Sequence, residues 1–147
     1  MATVDRFTEL IGTVIKTCGL LEFQINFFIK ASSSKDSILA NQVVKLPLSR
    51  RIQVLRALML DRSELTAPEV KSLCSDLEKI AKDRNVIAHN PVVISAEPHG
   101  PKILDFVHSP DVSEPKEFTE ADLEALHKRT TDALGNLVGL IHKITSS

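Results

Sequence analysis

The stretch TAPEVKSLCSDLEKIAKDRNVIAHNP, residues 66–91, predicts a helix with a marked start and a marked end. Thr66 stands as the N-cap, Pro68 lies in the first turn, and Glu69 follows the cap by three residues, which is the pattern of a capping box. Pro91 ends the helix at about His89, because proline cannot continue it. Between these limits, apolar residues recur at the spacing of one buried helical face: Val70, Leu73, Leu77 and Ile80.

The same periodicity predicts helices before this stretch. The first covers residues 4–31, with an apolar stripe of Val4, Phe7, Ile11, Val14, Cys18, Leu21, Ile25 and Phe28, widened by Leu10, Ile15 and Ile29. A short helix over residues 37–45 precedes a turn at Pro47. Another helix covers residues 49–60, and its polar side is predicted to include three arginines: Arg50, Arg51 and Arg56.

After Pro91 the pattern changes to two short runs of β-branched residues around the turn sequence EPHGP. These runs predict a β-hairpin with strands over residues 92–96 and 103–107, followed by an exposed acidic loop over 108–118. The last helix begins with a capping box at Thr119 and continues to residue 144. In that helix, Gly135 and Gly139 either admit a close neighbouring helix or mark loose packing.

Together these segments predict one domain over residues 1–147. Its fold class is all-α: an up-and-down four-helix bundle with an extra short helix and a small β-hairpin inserted before the last helix.

The composition limits the class of protein. The chain has 147 residues, 43% of them hydrophobic, and its aromatic residues are all phenylalanine. A net charge of −1 excludes a globally basic nucleic-acid binder. The charge is uneven, because residues 45–62 carry five basic side chains and one acid, whereas residues 109–124 carry six acids and one lysine. This contrast indicates either a face that docks an anionic partner or simply solvated helix faces.

Nothing in the sequence predicts secretion or membrane insertion. The N-terminal segment MATVDRFTEL lacks a basic stretch followed by an apolar run, and the longest apolar runs are too short for a membrane span. Cys18 and Cys74 both fall in apolar helical patterns, as reduced and buried thiols do. We therefore expect a cytoplasmic protein with no membrane partner.

One charged residue interrupts the apolar face of the helix over residues 66–91. Arg84 continues the spacing of that face, and Ile87 follows it. A guanidinium keeps its charge and is costly to desolvate without a partner. Three partners are open: a carboxylate inside the bundle, a subunit interface, or a ligand phosphate. Glu22 is the internal candidate, since it lies about 40 to 60 degrees around the first helix from buried positions.

His89 stands five residues after Arg84, in the last turn before Pro91. The helix dipole there favours the protonated imidazole. Asn85 is one turn before His89 and shares its face, whereas Arg84 lies about 140 degrees away. A permanent cation, an amide and a histidine together suit acid–base chemistry on a phosphodiester. The angular separation is a difficulty within one chain, and less of one if two protomers share a cleft.

The segment RNVIAH, from Arg84 to His89, resembles the Arg-polar-x3-His motif of the HEPN superfamily (higher eukaryotes and prokaryotes nucleotide-binding). The helix order is similar, and GLLEF in the first helix has Glu22 where related sequences carry an acidic residue. The resemblance implies a homodimer whose two motifs meet in an interface cleft. Many members are metal-independent endoribonucleases of toxin–antitoxin, phage-defence or RNA-processing systems, so the resemblance also implies this activity. It assigns catalysis to Arg84 and His89, supported by Asn85 and Glu22, with RNA and an antitoxin protein as partners.

The chain departs from one subgroup of that superfamily. Several toxin members carry a tyrosine two residues after the histidine, where a nucleotidyltransferase antitoxin adenylylates them. Pro91 occupies that position here, and the chain contains no tyrosine. Adenylylation is therefore not predicted as its mode of regulation.

No metal or cofactor is predicted. The glycines are too scattered for a phosphate-binding loop. The remaining histidines lack the spacing of a zinc site: His99, His108, His127 and His142.

Two functions stay open at this point. The first is a homodimeric, metal-independent endoribonuclease, for which Arg50, Arg51 and Arg56 are candidate RNA-binding residues. The second is a non-catalytic bundle that binds nucleotides or proteins, in which Arg84 only pairs with Glu22. An open cleft at Arg84 would favour the first function, and a closed, dry ion pair would favour the second.

Overall fold

A computed structural model describes residues 4–33, 37–90, 92–94, 100–105 and 115–146 of the chain. The elements in chain order are α1 (Val4–Ser32), α2 (Ser37–Val43), α3 (Leu48–Leu60), α4 (Ala67–His89), β1 (Val92–Ile94), β2 (Pro101–Asp105), β3 (Lys116–Phe118) and α5 (Glu120–Thr145). The four long helices form a ring in which α1 packs against α3 and α5, and α4 packs against the same two. The mostly-α bundle predicted from the sequence is confirmed.

The core lies inside this ring and is mainly aliphatic. Each long helix turns one apolar stripe inward, at the spacing expected for α-helices. Most of the predicted stripe of α1 is buried, but Val4 and Ile15 are exposed, so that stripe is narrower than predicted. The largest of the fully buried side chains are supplied by all four long helices and by β2: Phe7, Leu21, Ile25, Ile29, Ile52, Leu55, Met59, Leu77, Ile80, Ile103, Leu123 and Leu126.

Capping residues set the starts of α4 and α5 as predicted. The side chain of Thr66 accepts from the backbone N–H of Glu69, and the Glu69 carboxylate accepts from the backbone N–H of Thr66 at 2.7 Å. Thr119 and Asp122 form the same reciprocal pair at α5. Each box provides acceptors for backbone donors that have no partner within the first helical turn.

The predicted hairpin is part of a larger sheet. β1, β2 and β3 form a three-stranded antiparallel sheet in which Ile103 of β2 pairs with Val92 on one side and Phe118 on the other. The second strand begins at Pro101 rather than at Ile103. Its entry uses Gly100, whose φ of 64° is a conformation that other residues rarely adopt. The predicted strand ends at residues 95–96 and 106–107 lie outside the described residues.

The third strand replaces the end of the loop predicted over residues 108–118. Its first two residues are exposed and charged, and only Phe118 is buried. Three residues with one apolar side chain give too short a pattern to identify a strand. Lys102 of β2 and Glu117 of β3 form an ion pair across the sheet, which helps to hold this edge strand.

One helical prediction was wrong, and one of two open alternatives for another helix is excluded. Arg51 was assigned to the polar side of α3, but it is buried together with Ile52, Leu55 and Met59. The reading of Gly135 and Gly139 as a close helix contact also fails, because a Cβ atom at either glycine would meet nothing within 4 Å. These glycines border a cavity of about 420 Å³ between α4 and α5, so the alternative of loose packing holds.

The capping box of α4 predicts an acid-sensitive contribution to stability. Lys143, which lies 2.7 Å from Glu69, and then Thr66 lower the pKa of the Glu69 carboxyl to about 2 from an ordinary value of 4.5. A lowered folded-state pKa means that the contribution is present above pH 4.5 and is lost as the pH falls towards 2. The deficit in unfolding free energy of Glu69→Gln should therefore be largest above pH 5 and should shrink on acidification.

Chemical denaturation followed by circular dichroism between pH 6 and pH 3 would measure this. Lys143→Met is the control background, in which the pH dependence of the Glu69→Gln deficit should be weaker. A deficit that stays constant over this pH range would contradict the assignment.

Candidate functional site

The predicted site residues meet at one cavity. It has a volume of about 530 Å³ and is bordered by α1, by the start of α3 and by the second half of α4. All four predicted catalytic and supporting residues line it: Glu22, Arg84, Asn85 and His89. The volume lies within the range of about 300 to 1,000 Å³ that is typical of ligand sites.

Arg51 forms the inner wall of this cavity. Its side chain is 10% exposed and uses all three guanidinium nitrogens as donors. Nη2 donates to Glu22 Oε2 at 3.1 Å, Nη1 to Asn26 Oδ1 at 2.9 Å, and Nε to the carbonyl oxygen of Leu46 at 2.9 Å. These contacts tie α3 to α1 and to the turn before α3. They also satisfy a cation that would otherwise be costly to bury.

Arg84 shares the same carboxylate but is held less tightly. Its Nη2 lies 3.7 Å from Glu22 Oε1, and its Nη1 donates to Asn85 Oδ1 at 3.5 Å. The side chain is 35% exposed, and it lines the cavity. The carboxylate of Glu22, which was predicted as the internal partner of Arg84, is therefore present. It lies closer to Arg51 than to Arg84. Arg84 remains accessible to a ligand.

The cavity has a slightly positive lining. The carboxylates of Glu22 and Glu78 are outnumbered by three cations, so one positive charge remains when His89 is neutral: the cations are Arg51, Lys82 and Arg84. A net positive, partly enclosed site attracts small anions, because nearby low-dielectric walls weaken solvent screening. The protein as a whole has the opposite sign, so this attraction is local.

His89 is exposed in the last turn of α4 and lines the cavity together with Arg84. The separation of about 140 degrees around α4 therefore does not keep the two side chains from bordering one space within a single protomer. The difficulty that this separation was expected to cause within one chain therefore does not arise at the cavity.

The end of α4 is fixed by a polar contact that sequence reasoning missed. Asn90 is buried, and its Nδ2 donates to the carbonyl oxygen of Val86 at 2.9 Å and to Asp105 Oδ1 at 3.2 Å. Asp105 is a buried carboxylate on β2. The sheet thus anchors the helical turn that carries His89. The available signal was Asp105 itself, a charged residue inside an apolar strand pattern.

Two of the three candidate RNA-binding arginines are not among the residues that line the cavity. Arg50 and Arg56 are exposed on α3, and Arg50 Nη1 donates to Gln53 Oε1 at 3.2 Å. Arg51 is the third and is used inside the protein.

The two cysteines are free and buried, as predicted. Burial raises the pKa of the Cys74 thiol to about 11, and burial is also the main cause that raises the pKa of the Cys18 thiol. Nucleophilic attack requires the thiolate, so neither thiol suits covalent chemistry near neutral pH.

Within the described ranges, no group of three or more His, Cys, Asp or Glu side chains could hold a metal ion. Of the histidines considered for zinc, His99 and His108 lie outside those ranges. The helices in the same ranges include none that is long and apolar enough to cross a membrane.

No protein-family model matches the chain, and searches of curated proteins and of solved structures found no match either.

The unequal bonding of the two arginines leads to a stability prediction. Arg51→Met should lower the free energy of unfolding by about 2 to 3 kcal/mol, because it leaves Glu22, Asn26 and a backbone carbonyl without their donor. Arg84→Met should cost less than about 1 kcal/mol, since its ion pair is longer and partly solvated. Urea denaturation followed by circular dichroism would compare them. Equal losses in the two variants would contradict this division of roles.

Proposed function

We propose that the chain is a HEPN-like, metal-independent endoribonuclease that acts as a homodimer. The observation that carries the proposal is that Arg84, Asn85 and His89 line one cavity of about 530 Å³. Arg84 is partly open to that cavity, where a closed ion pair would have left no room for a ligand. The helical bundle and the resemblance of RNVIAH to the HEPN motif support the same proposal.

The chemistry assigned to these residues is transesterification of RNA. The ribose 2′-oxygen attacks the adjacent phosphorus, its proton is transferred to a base, and the bond from phosphorus to the 5′-oxygen breaks with a proton delivered to that oxygen. The products are a 2′,3′-cyclic phosphate and a 5′-hydroxyl. His89 handles the proton at one of these two oxygens, since imidazole exchanges protons readily near neutral pH.

Arg84 binds the phosphate and stabilises the charge that develops on its non-bridging oxygens. A guanidinium suits this role because its donors match two phosphate oxygens at once. Phosphate binding draws Arg84 away from its 3.7 Å contact with Glu22, whereas Arg51 keeps Glu22 in place. Asn85 steadies Arg84 through its side-chain oxygen. Glu22 and Arg51 are therefore positioning residues in this proposal.

A role in a toxin–antitoxin or phage-defence system, with an antitoxin protein as partner, rests on the resemblance alone. A cytoplasmic location belongs to the same proposal. Arg50 and Arg56 would contribute only through a longer RNA that reaches the outer surface of α3.

The second candidate function is a non-catalytic bundle that binds a nucleotide. The contact between Glu22 and Arg84 favours it, because part of the arginine's charge is already compensated. Under this alternative, phosphate-bearing ligands enter the cavity and leave unchanged.

Cleavage of an end-labelled RNA pool in EDTA tests the choice. We expect the wild type to cut, and we expect His89→Ala and Arg84→Ala each to reduce the rate about 100-fold or more. Arg62→Ala is the matched control, since it removes an exposed arginine that neither lines the cavity nor is a candidate RNA-binding residue, and its rate should change little. Mass spectrometry of the products should find 2′,3′-cyclic phosphate ends.

An intact RNA pool, combined with nucleotide binding that Arg84→Ala abolishes, would establish the non-catalytic alternative. Cleavage that persists in Arg84→Ala would remove the proposed site altogether.

A further inference from the structure

The side of α1 that faces away from the core carries a cluster of large apolar residues. Leu20, Phe23 and Phe27 are 50%, 63% and 56% exposed and lie on consecutive turns. Phe23 is about 160 degrees around the helix from the buried Ile25, so this is a second apolar face rather than the edge of the first. A cluster of large exposed apolar side chains on a helical bundle indicates a surface that binds another molecule.

This second face repeats every seven residues, which is the period of helices that pack along their length. Its central row consists of three charged residues and one aromatic residue, all exposed: Glu9, Lys16, Phe23 and Lys30. Gly12 and Gly19 form a flanking row on one side, and Leu20 and Phe27 form one on the other.

The two glycines leave a shallow channel along the face. Both are exposed, and a Cβ atom at either would meet nothing within 4 Å. A second helix could therefore approach α1 more closely there than larger side chains would allow. The two glycines lie beside Phe23 and Phe27, so the same face has positions without side chains next to large side chains that project from it.

We propose that the outer face of α1 binds the same face of a second copy of this chain, with the two α1 helices antiparallel about a twofold axis between Gly19 and Leu20. In this register Leu20 packs against Leu20 of the second copy, and Gly19 lies close to Gly19 of the second copy. Phe27 lies opposite Thr13 of the second copy. The central row supplies two kinds of contact. Glu9 pairs with Lys30 of the second copy, and the Lys16 ammonium lies over the ring of Phe23.

Charge selects this register among the others that keep the seven-residue period. A parallel pair would place Glu9 against Glu9 and Lys16 against Lys16. An antiparallel pair centred on Phe23 would place Lys16 against Lys30, and one centred on Lys16 would oppose Lys16 to itself. The register between Gly19 and Leu20 opposes unlike charges while also covering the aromatic residues, and symmetry makes each contact twice.

This face of α1 is the surface through which the homodimer proposed above would form, and its pairing does not depend on RNA cleavage. Glu22 lines the cavity about 100 degrees around α1 from Phe23, so the contact runs beside the cavity and not across it. Dimerisation and cleavage can therefore fail separately.

Sedimentation velocity and light scattering with refractive-index detection test the dimer, since the chain has no tryptophan or tyrosine for absorbance. We expect the wild type to dimerise and Phe23→Asp to weaken the dimer about 100-fold. Val138→Asp is the matched control, because Val138 is exposed on α5, and it should dimerise as the wild type does. A monomeric wild type at high concentration, or a dimer unaffected by Phe23→Asp, would overturn the proposal.

A charge exchange tests the register. Glu9→Lys and Lys30→Glu should each weaken the dimer about 10-fold, and the double variant Glu9→Lys/Lys30→Glu should restore it. Leu20→Cys should form a disulfide-linked dimer under mild oxidation, whereas Val138→Cys should not. A double variant as weak as the single ones would refute the antiparallel pairing. A wild type that stays monomeric and binds anionic lipid vesicles through Phe23 would assign this face to a membrane surface instead.

Discussion

The ion pair between the buried Arg51 and the half-buried Glu22 is the contact on which the candidate site depends. It joins α3 to α1 at the base of the cavity, and the same guanidinium also binds the turn before α3. Burying a permanent cation is unfavourable unless every donor finds an acceptor, and here each nitrogen does. The resulting geometry directs the second oxygen of Glu22 towards Arg84. The site therefore contains one arginine that is held by three hydrogen bonds and a second, Arg84, whose contacts with Glu22 and Asn85 are longer, at 3.7 Å and 3.5 Å.

This division explains how an acidic protein can keep a cation available. If Arg84 alone faced Glu22, the two charges would cancel, and the cavity would have little attraction for phosphate. Arg51 compensates Glu22 first and more closely, at 3.1 Å against 3.7 Å. In the proposed function, an incoming phosphate would compete for Arg84 with a carboxylate whose charge is already compensated, which would lower the cost of the exchange.

The helices, both capping boxes and the positions of Arg84 and His89 could be predicted because each leaves a local pattern in the chain. The role of Arg51 could not, since an arginine in an amphipathic helix has the pattern of an exposed residue. Its partner Glu22 is 29 residues away. The contact between Asn90 and Asp105 joins a helix end to a strand that the sequence indicates only weakly. Such polar contacts between distant segments depend on tertiary packing, which periodicity does not record.

The two faces of α1 connect the site to the proposed dimer. A twofold axis perpendicular to the plane of two antiparallel helices places both copies of any residue on the same side of the helix contact. Glu22 lies two to three residues from the axis, or about 4 Å along the helix, so the two copies of Glu22 would lie about 8 Å apart in that direction on one side of the dimer. Both cavities would then open near the axis on one surface. One RNA strand could reach both, although each cavity already has its own Arg84 and His89.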